Sequence, residues 1–421
     1  MRIFFKSKKL DHVCYDVRGP VLDEANEMEA RGEKILKLNI GNPAVFGFHV
    51  SEELRAEMAR DLPQADAYSD SKGLLKSREA IVASCEEKGI RGVTVDDVYT
   101  GNGVSELITM VMQGLLNNGD EILLPSPDYP LWTAAATLAG GNSVHYICDE
   151  SSNWYPDLDD MEQKITTKTK GIVVINPNNP TGALYPREIL EKIVALAKKY
   201  ELILFSDEIY DNLVMDGQKH IPIAAIDPDV FTITFNGLSK SHRAAGYRVG
   251  WMCLSGKKDG VKSYIEGLNM LSSMRLCSNV PAQLIIPAAL ADKRPDTELL
   301  PGGRIYEQRE FVTKAINNIP GLRAIKPSAA FYIFPTMDTK RFNITDDEQF
   351  ALDFLRAERI LLVHGRGFHR EAPDSFRIVF LPALPELKVS MERLASFLGD
   401  YRQVPPKPAG GCCGGGCRCS V

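Results

Sequence analysis

The chain lacks the features that mark membrane proteins and nucleic-acid-binding proteins. None of its 421 residues belongs to an apolar run approaching the roughly eighteen residues that a transmembrane helix needs. It also lacks a strong excess of either charge, because 49 lysines and arginines stand against 55 aspartates and glutamates, for a formal net charge of −6. Mixed, mildly acidic charge is not typical of a nucleic-acid or membrane-surface binder. We therefore predict no nucleic-acid partner and no membrane partner.

Signals for export and for metal binding are missing as well. The opening MRIFFKSKKL is basic, but its apolar run IFF is much shorter than the core of a signal peptide. We therefore predict a cytoplasmic protein. None of the nine cysteines has the paired C-x-x-C spacing of common zinc sites. Four crowd the last ten residues, at Cys412, Cys413, Cys417 and Cys419, and we predict no metal site there.

The hydrophobic pattern indicates an α/β protein. Short apolar runs bounded by Gly, Pro, Asn or Asp predict the strands EILLP, SVHYIC, GIVVIN, LILFSD, FTITFN and VGWMCL, with helical patterns between several of them. This alternation predicts a mostly parallel sheet covered by helices. We expect an N-terminal segment at 1–47, a large domain at 48–295, a smaller α+β domain at 296–402 and a disordered Gly- and Cys-rich tail at 403–421.

Polar residues follow three of these predicted strands. GIVVIN leads into NPNNPTG, LILFSD ends on Asp207 with Tyr210 close behind, and FTITFN leads to Lys240. Ligands of parallel α/β sheets bind at the carboxyl ends of the strands, so these side chains are expected to lie together. A fourth element, YTGNGVSEL, predicts a glycine-rich turn that opens a helix and offers backbone N–H groups to a phosphate.

A lysine, an acid, a tyrosine and a phosphate cradle match the needs of pyridoxal phosphate. The lysine amine can form the covalent imine with this cofactor, and the acid can keep its pyridine nitrogen protonated. The tyrosine and an asparagine can hydrogen-bond the phenolic oxygen of its ring. A nearby arginine can pair with the phosphate as a planar fork.

These motifs together resemble those of the class I/II aminotransferases of fold type I. They are NPNNPTG at 176–182, SDEIY at 206–210, GLSKSHRAAGYRVGW at 237–251 and FRIVF at 376–380, and they occur in the family's order. The resemblance covers most of the chain and implies a mostly parallel seven-stranded sheet, pyridoxal phosphate as cofactor and a homodimer with shared active sites. CYDVRGPV, KLNIGNPAVFGF and CDESSNW are most similar to bacterial glutamate–pyruvate (alanine) aminotransferases, which implies L-alanine and 2-oxoglutarate as substrates.

The resemblance also implies roles for single residues. Lys240 is similar to the catalytic lysine, Asp207 to the partner of the pyridine nitrogen, Tyr129 to the stacking aromatic and Arg377 to the arginine that binds the substrate α-carboxylate. The positions implied for cofactor binding are Gly103, Val104, Ser105, Tyr129, Asn179, Asp207, Tyr210, Ser239, Lys240, Arg248 and, across a dimer interface, Tyr68. Those implied for substrate binding are Gly41, Asn179, Arg377, Tyr15, Arg18 and Trp132.

One position departs from the family pattern. A phosphate-binding serine or threonine usually stands three residues before the lysine, where this chain has Gly237. We expect Ser239 or Ser105 to supply the hydroxyl instead.

Other interpretations remain open. Asp207 could cap a helix, Asn179 could only shape a turn, and Tyr129 and Trp132 could be ordinary core aromatics. Another pyridoxal-phosphate reaction is possible at the same site, such as valine–pyruvate or methionine transamination or β-elimination. A regulatory module that senses pyridoxal phosphate would require a basic helix-turn-helix segment, and the acidic pI near 5.8 disfavours it.

Overall fold

The computed structural model describes residues 2–13 and 19–404. The α-helices in this part of the chain are α1 Pro20–Ala30, α2 Glu52–Asp61, α3 Leu75–Glu87, α4 Val104–Leu115, α5 Leu131–Leu138, α6 Leu158–Gln163, α7 Arg187–Lys199, α8 Lys262–Met274, α9 Val280–Gln283, α10 Ile286–Ala291, α11 Arg304–Asn317, α12 Thr339–Phe342, α13 Asp347–Glu358 and α14 Leu384–Asp400. The strands are β1 Leu36–Lys37, β2 Val98–Gly101, β3 Glu121–Ser126, β4 Asn142–Asp149, β5 Tyr155–Pro156, β6 Thr169–Ile175, β7 Ile203–Asp207, β8 Thr232–Gly237, β9 Gly250–Ser255, β10 Leu322–Arg323, β11 Tyr332–Ile333, β12 Thr336–Met337, β13 Ile360–Leu361, β14 Val363–His364 and β15 Phe376–Val379.

The central sheet has the strand order β2-β9-β8-β7-β6-β3-β4, with the two-residue β5 added at its edge. Strands β8, β7, β6, β3 and β4 are parallel, whereas β9 runs antiparallel to both of its neighbours. This confirms the predicted fold class, and all six predicted apolar runs form strands. Strand β2 was not predicted, because its last residue, Gly101, belongs to the glycine-rich stretch that predicted a turn.

Amphipathic helices cover the sheet. In α7, the apolar residues Leu190, Ile193, Val194 and Ala197 are buried, and their spacing of three, four and seven residues places them on one helix face. Burying a large aliphatic side chain stabilises the fold by about 1.5–3 kcal/mol. This face packs against β6 and β7 in a common apolar cluster, so the helix keeps the carboxyl ends of these strands fixed.

The C-terminal region packs on the N-terminal segment. Strand β1 pairs in parallel with β13, and α1 shares an apolar cluster with α11, α13 and α14. Helix α1 begins at Pro20, because proline needs no hydrogen-bond partner for its nitrogen in the first turn. A second, antiparallel sheet of order β11-β15-β14 lies in this region. Its middle strand, β15, carries Arg377.

The last described residues correct the predicted start of the tail. The expectation of disorder from 403 onward is wrong for Gln403, which is buried. Its side-chain oxygen accepts hydrogen bonds from the backbone N–H groups of Thr345 (2.7 Å) and Asp346 (2.9 Å), at the start of α13. The remaining predicted tail, from 405 to 421, lies outside the described residues.

Within the described ranges, no helix combines the length and the hydrophobicity that a crossing of the bilayer requires.

Candidate active site

A cavity of about 470 Å³ opens at the carboxyl ends of β6, β7 and β8, facing β15. It brings together these residues predicted from the sequence: Gly41, Val104, Ser105, Tyr129, Asn179, Asp207, Tyr210, Ser239, Lys240, Arg248 and Arg377. A larger cavity of about 630 Å³ borders the residues that follow Lys240. Several charged groups of this larger cavity pair with one another, such as Arg243 with Asp296 and Lys293 with Glu87. The predicted site residues line the smaller cavity, which is therefore the candidate active site.

Lys240 places a primary amine in the cavity. It follows β8, and its Nζ donates a hydrogen bond to the carbonyl oxygen of Gly41 (2.6 Å). A Cβ atom at position 41 would overlap the hydroxyl of Tyr332. A side chain at position 41 would therefore displace the Tyr332 ring from its place beside the cavity.

Asp207 ends β7 and is buried. It accepts hydrogen bonds from the indole N–H of Trp132 (3.2 Å) and from the backbone N–H of Ile209 (3.3 Å). Burial raises the pKa of Asp207 to about 6, against the effect of these two hydrogen bonds and of the nearby charge of Lys240. A buried carboxylate with a raised pKa gains stability from a neighbouring cationic N–H group, such as a protonated ring nitrogen.

Trp132 lies elsewhere than the sequence suggested. It was expected on the substrate wall, but its ring is fully buried and is not among the groups that line the cavity. It packs edge-on against Phe235, with ring centroids 5.2 Å apart, and directs its N–H at Asp207. The sequence alone cannot show whether an aromatic side chain lines a pocket or lies in the layer behind it. The packing of α5 determines which of these two positions the Trp132 ring takes.

Arg377 is buried on β15, and hydrogen bonds hold its guanidinium group in place. Its Nη1 donates to the side-chain oxygen of Asn179 (2.9 Å), and its Nη2 donates to the carbonyl oxygen of Asn39. The guanidinium also lies over the rings of Tyr332 and Phe368, at 4.6 and 4.7 Å from their centroids. Aromatic faces attract cations, so this arrangement holds a positive charge at the cavity in a single orientation.

Tyr332, on β11, is a site residue that the sequence analysis missed. Its hydroxyl lies 2.9 Å from that of Tyr210. Burial alone would raise the pKa of Tyr332, but the charges of Lys240 and Arg377 and the hydrogen bond from Tyr210 lower it below its usual value. The signal available was the aromatic pair in AFYIF, which does not show that one hydroxyl reaches across to the central sheet.

A phosphate-sized cradle lies where α4 begins. Gly103 precedes this helix with a φ of 78°, a conformation that favours glycine. A Cβ atom there would overlap the guanidinium of Arg248, whose Nη2 donates to the carbonyl oxygen of Asn102 (3.3 Å). The first-turn N–H groups of a helix and an arginine fork are the donors that a phosphate dianion takes up. Val104 and Ser105 form the first turn.

The structure gives a physical reason for Gly237. In the register of β8 and β9 it lies opposite Gly250. A Cβ atom at 237 would lie 2.8 Å from the carbonyl oxygen of Val249 and 2.9 Å from the Cα of Gly250. Backbone cannot yield as a flexible side chain can, so a serine here would require the neighbouring backbone of β9 to shift. Ser105 and Ser239 are the serines that line the described cavity, together with Arg248.

Besides Trp132, two described residues of the predicted set do not line the cavity. Gly103 lies directly before Val104, which does line it. Tyr68 is 79% exposed on the loop before α3 and does not line the cavity of its own chain. Tyr15 and Arg18 lie outside the described residues.

The model of the family "aminotransferase class I and II" matches residues 33–396. The chain belongs to this family. The aminotransferase is similar to the glutamate-pyruvate aminotransferase AlaA of Haemophilus influenzae, with 57% identity over 96% of this chain and 100% of that protein. Its fold is similar to the crystal structure of an aminotransferase from Escherichia coli (TM-score 0.94, 55% identity, 96% of this chain and 100% of that one). It is also similar to an alanine aminotransferase from Pyrococcus furiosus (TM-score 0.88, 38% identity, 94% and 100%).

Aminotransferases of this family and fold depend on pyridoxal phosphate, and so does this one. Its cavity fits the cofactor on three observations. It offers the amine of Lys240, a buried acid with a raised pKa at Asp207, and a helix start at which Gly103 makes room for Arg248. The protein is therefore a pyridoxal-phosphate-dependent transaminase.

Proposed function

We propose that the aminotransferase moves an amino group between L-alanine and 2-oxoglutarate, giving pyruvate and L-glutamate by a ping-pong mechanism. The observation that carries this proposal is the buried Arg377, held by Asn179 and two rings, in one cavity with Lys240. The printed names of its relatives, glutamate-pyruvate aminotransferase and alanine aminotransferase, support these substrates.

Arg377 binds the α-carboxylate of the amino acid as a planar fork and so orients its α-carbon. Lys240 holds the cofactor until the substrate amine replaces it, and its Nζ then accepts the proton from the α-carbon. Pyridoxal phosphate, when bound, supplies a ring that withdraws electrons from this carbon. Nζ of Lys240 would return the proton to the carbon that joins the amino group to the cofactor, and a water molecule would supply the oxygen of the keto acid that leaves.

The residues of the same cavity support the remaining proposed cofactor contacts. Asp207 would hold the ring nitrogen protonated, and Tyr210 and Asn179 would hydrogen-bond the phenolic oxygen. Tyr129 would stack on the ring. The phosphate would bind to Arg248 and to the start of α4, at Gly103, Val104 and Ser105, with the hydroxyl of Ser239 also available.

The second substrate carboxylate needs its own cation. Leu22 and Ile40 give the described cavity an apolar part, and its cations, apart from Lys240, are Arg248 and Arg377. These two already bind phosphate and α-carboxylate in the proposal, and an apolar remainder suits the alanine methyl group. On the resemblance of YDVRGP to the N-terminal stretch of alanine aminotransferases, we propose Arg18 for the distal carboxylate of 2-oxoglutarate. Arg18→Ala is expected to raise the KM for 2-oxoglutarate and leave that for pyruvate nearly unchanged.

We also propose a cytoplasmic homodimer in which Tyr68 reaches the phosphate of the partner subunit. Residues 48–295 form the large domain and 296–402 the small domain, while the segment 1–47 packs on the latter and helps Tyr15 close the site. Sedimentation equilibrium tests the assembly. A monomeric protein that binds the cofactor with full affinity would contradict the proposed role of Tyr68.

A substrate panel tests the function. We expect kcat/KM with 2-oxoglutarate to be highest for alanine among alanine, valine, methionine and aspartate. A higher value for valine or methionine would favour the alternative transaminases. Pyruvate release from a β-substituted amino acid without any keto acid would favour a β-lyase, and bound cofactor without turnover would favour the regulatory module.

A further inference from the structure

Two short segments meet beside the cavity. The first, residues 126–129, joins β3 to the turn before α5 and carries Tyr129, which lines the cavity. The second, residues 365–369, follows β14 and carries Phe368, whose ring lies 4.7 Å from the guanidinium of Arg377. We call them the Tyr129 segment and the Phe368 segment.

Three hydrogen bonds join the two segments. The backbone N–H of Asp128 donates to the carbonyl oxygen of Phe368 (3.0 Å). The hydroxyl of Ser126 donates to the carbonyl oxygen of His369 (2.8 Å). The Asp128 carboxylate lies 2.7 Å from Nδ1 of His369. Residues some 240 positions apart in the chain are thus held together by backbone and side chain alike.

Asp128 is charged although it is completely buried. Its exposed fraction is 0%, and its other carboxylate oxygen accepts a hydrogen bond from the hydroxyl of Thr133 (2.7 Å). Burial would raise the pKa of Asp128, but the hydrogen bonds and charges of His145 and His369 outweigh it and hold that pKa at about 2. A buried carboxylate is costly unless it is paired and hydrogen-bonded, and removing one partner exposes that cost.

The histidines hold this carboxylate from two elements. His145 lies on β4, within reach of the Thr133 hydroxyl (3.0 Å), and its ring stacks on that of His369 with centroids 4.8 Å apart. The donor atoms of Asp128, His145 and His369 lie within 4.8 Å of one another, which is the grouping of a metal site. Asp128 and His369 nonetheless hydrogen-bond each other, and the partner of His145 is the hydroxyl of Thr133. The geometry therefore favours a hydrogen-bonded contact.

We propose that Asp128 and His369 are positioning residues for transamination, which fix the Tyr129 ring and, through Phe368, the Arg377 guanidinium relative to each other. This inference rests on the proposed roles of Tyr129 and Arg377. It adds that cofactor stacking and carboxylate binding depend on one buried contact between the two segments. Loss of that contact moves both groups at once.

Asp128→Asn keeps the shape of the side chain and removes its charge. We expect the apoenzyme of this variant to bind pyridoxal phosphate about tenfold more weakly in an absorbance titration, because a charge-assisted hydrogen bond is lost. The KM for alanine is expected to rise with it. In a Tyr129→Leu background, the same substitution should weaken cofactor binding by less than about twofold, since Asp128 acts through Tyr129.

The control is Asp216→Asn, which removes the same charge from the ion pair with Arg309, and neither residue of this pair lines the cavity. It is expected to lower the melting temperature and leave cofactor affinity unchanged. If Asp128→Asn does not fold, His369→Gln tests the contact from its other side with the same readouts.

An equal loss of affinity in both backgrounds, or an Asp128→Asn variant that loses only thermal stability, would overturn the inference. Stoichiometric binding of Zn²⁺ by the parent protein, absent from Asp128→Asn, would overturn it in favour of a metal site. If Tyr129→Leu alone leaves cofactor affinity unchanged, the proposed stacking role fails first and this inference fails with it.

Discussion

The two sides of the cavity hold charge in different ways. On the side of the central sheet, Asp207 is a buried acid whose pKa lies near 6, so its charge depends on its surroundings. On the side of β15, Arg377 is a permanent cation. Its hydrogen-bond acceptors are fixed, and the aromatic ring of Tyr332 lies beside it. The first side suits control of protonation, and the second suits recognition of a constant substrate charge. Changes on the first side should act on kcat and pH dependence, and changes on the second on KM.

Lys240→Ala is the most severe test of the sheet side. Turnover is expected to fall by at least roughly 10²–10⁴-fold, the usual contribution of proton transfer by a positioned group. Borohydride should no longer link the cofactor to the protein. Lys262→Ala, which changes an exposed lysine on α8, is the matched control. Full turnover by Lys240→Ala would remove the proposed mechanism.

Asp207→Asn separates stability from activity. Because the pKa of Asp207 rises from 3.8 to about 6 on folding, the folded apoprotein binds this proton more tightly than the unfolded chain. Stability that is present below about pH 4 is therefore lost as the pH rises through 6. At 1.36 kcal/mol for each pKa unit, the loss reaches about 3 kcal/mol by pH 7.

The uncharged variant avoids that loss. The apoprotein of Asp207→Asn should be about as stable as the parent near pH 4 and more stable near pH 7, while transaminase activity falls. Urea unfolding at both pH values measures this difference. A difference that does not change with pH would show that Asp207 is not strained by burial.

Arg377→Ala is expected to act on the opposite side of the comparison. The KM for both amino and keto acids should rise about 10- to 100-fold, since a hydrogen bond to a charged group contributes about 1.5–3 kcal/mol. Arg377→Lys retains the charge without the fork and should give an intermediate KM. An unchanged KM in Arg377→Ala would refute its carboxylate role.

Tyr332 touches both sides, and two substitutions can divide its contributions. Tyr332→Phe removes the hydroxyl bonded to Tyr210 and should shift the pH midpoint of the cofactor's visible absorption, with KM nearly unchanged. Tyr332→Leu also removes the ring beside Arg377 and should raise KM a few-fold, as expected from about 0.5–1 kcal/mol for a cation–π contact. If the two variants change the pH midpoint and KM equally, the contributions of Tyr332 would be assigned to packing alone.

The sequence predicted the sheet side better than the side of β15, for a physical reason. Long apolar strands such as β7 and β8 are visible as runs, and their ends locate Asp207 and Lys240. Strand β11 has two residues and no period, so the reach of Tyr332 to Tyr210 was not predictable from it. The buried place of Trp132 depends on the packing of α5, which a single sequence does not specify.

Gly237 shows the same limit from another direction. The departure from the family pattern was visible in the sequence, but its reason was not. The reason is the close approach of β9, in which Gly250 lies opposite Gly237 in the sheet. The contact of Asp128 with His369 joins residues distant in the chain, and no local motif indicates it.

The hydrogen bond from Trp132 to Asp207 has an experimental use. The chain has three tryptophans, Trp132, Trp154 and Trp251, and all are buried. Trp132 alone among them donates a hydrogen bond to Asp207, the proposed partner of the cofactor ring. Its fluorescence should therefore be quenched as the cofactor binds, and Trp132→Phe should remove most of this change. The fluorescence of Trp132 would then report cofactor occupancy without an external label.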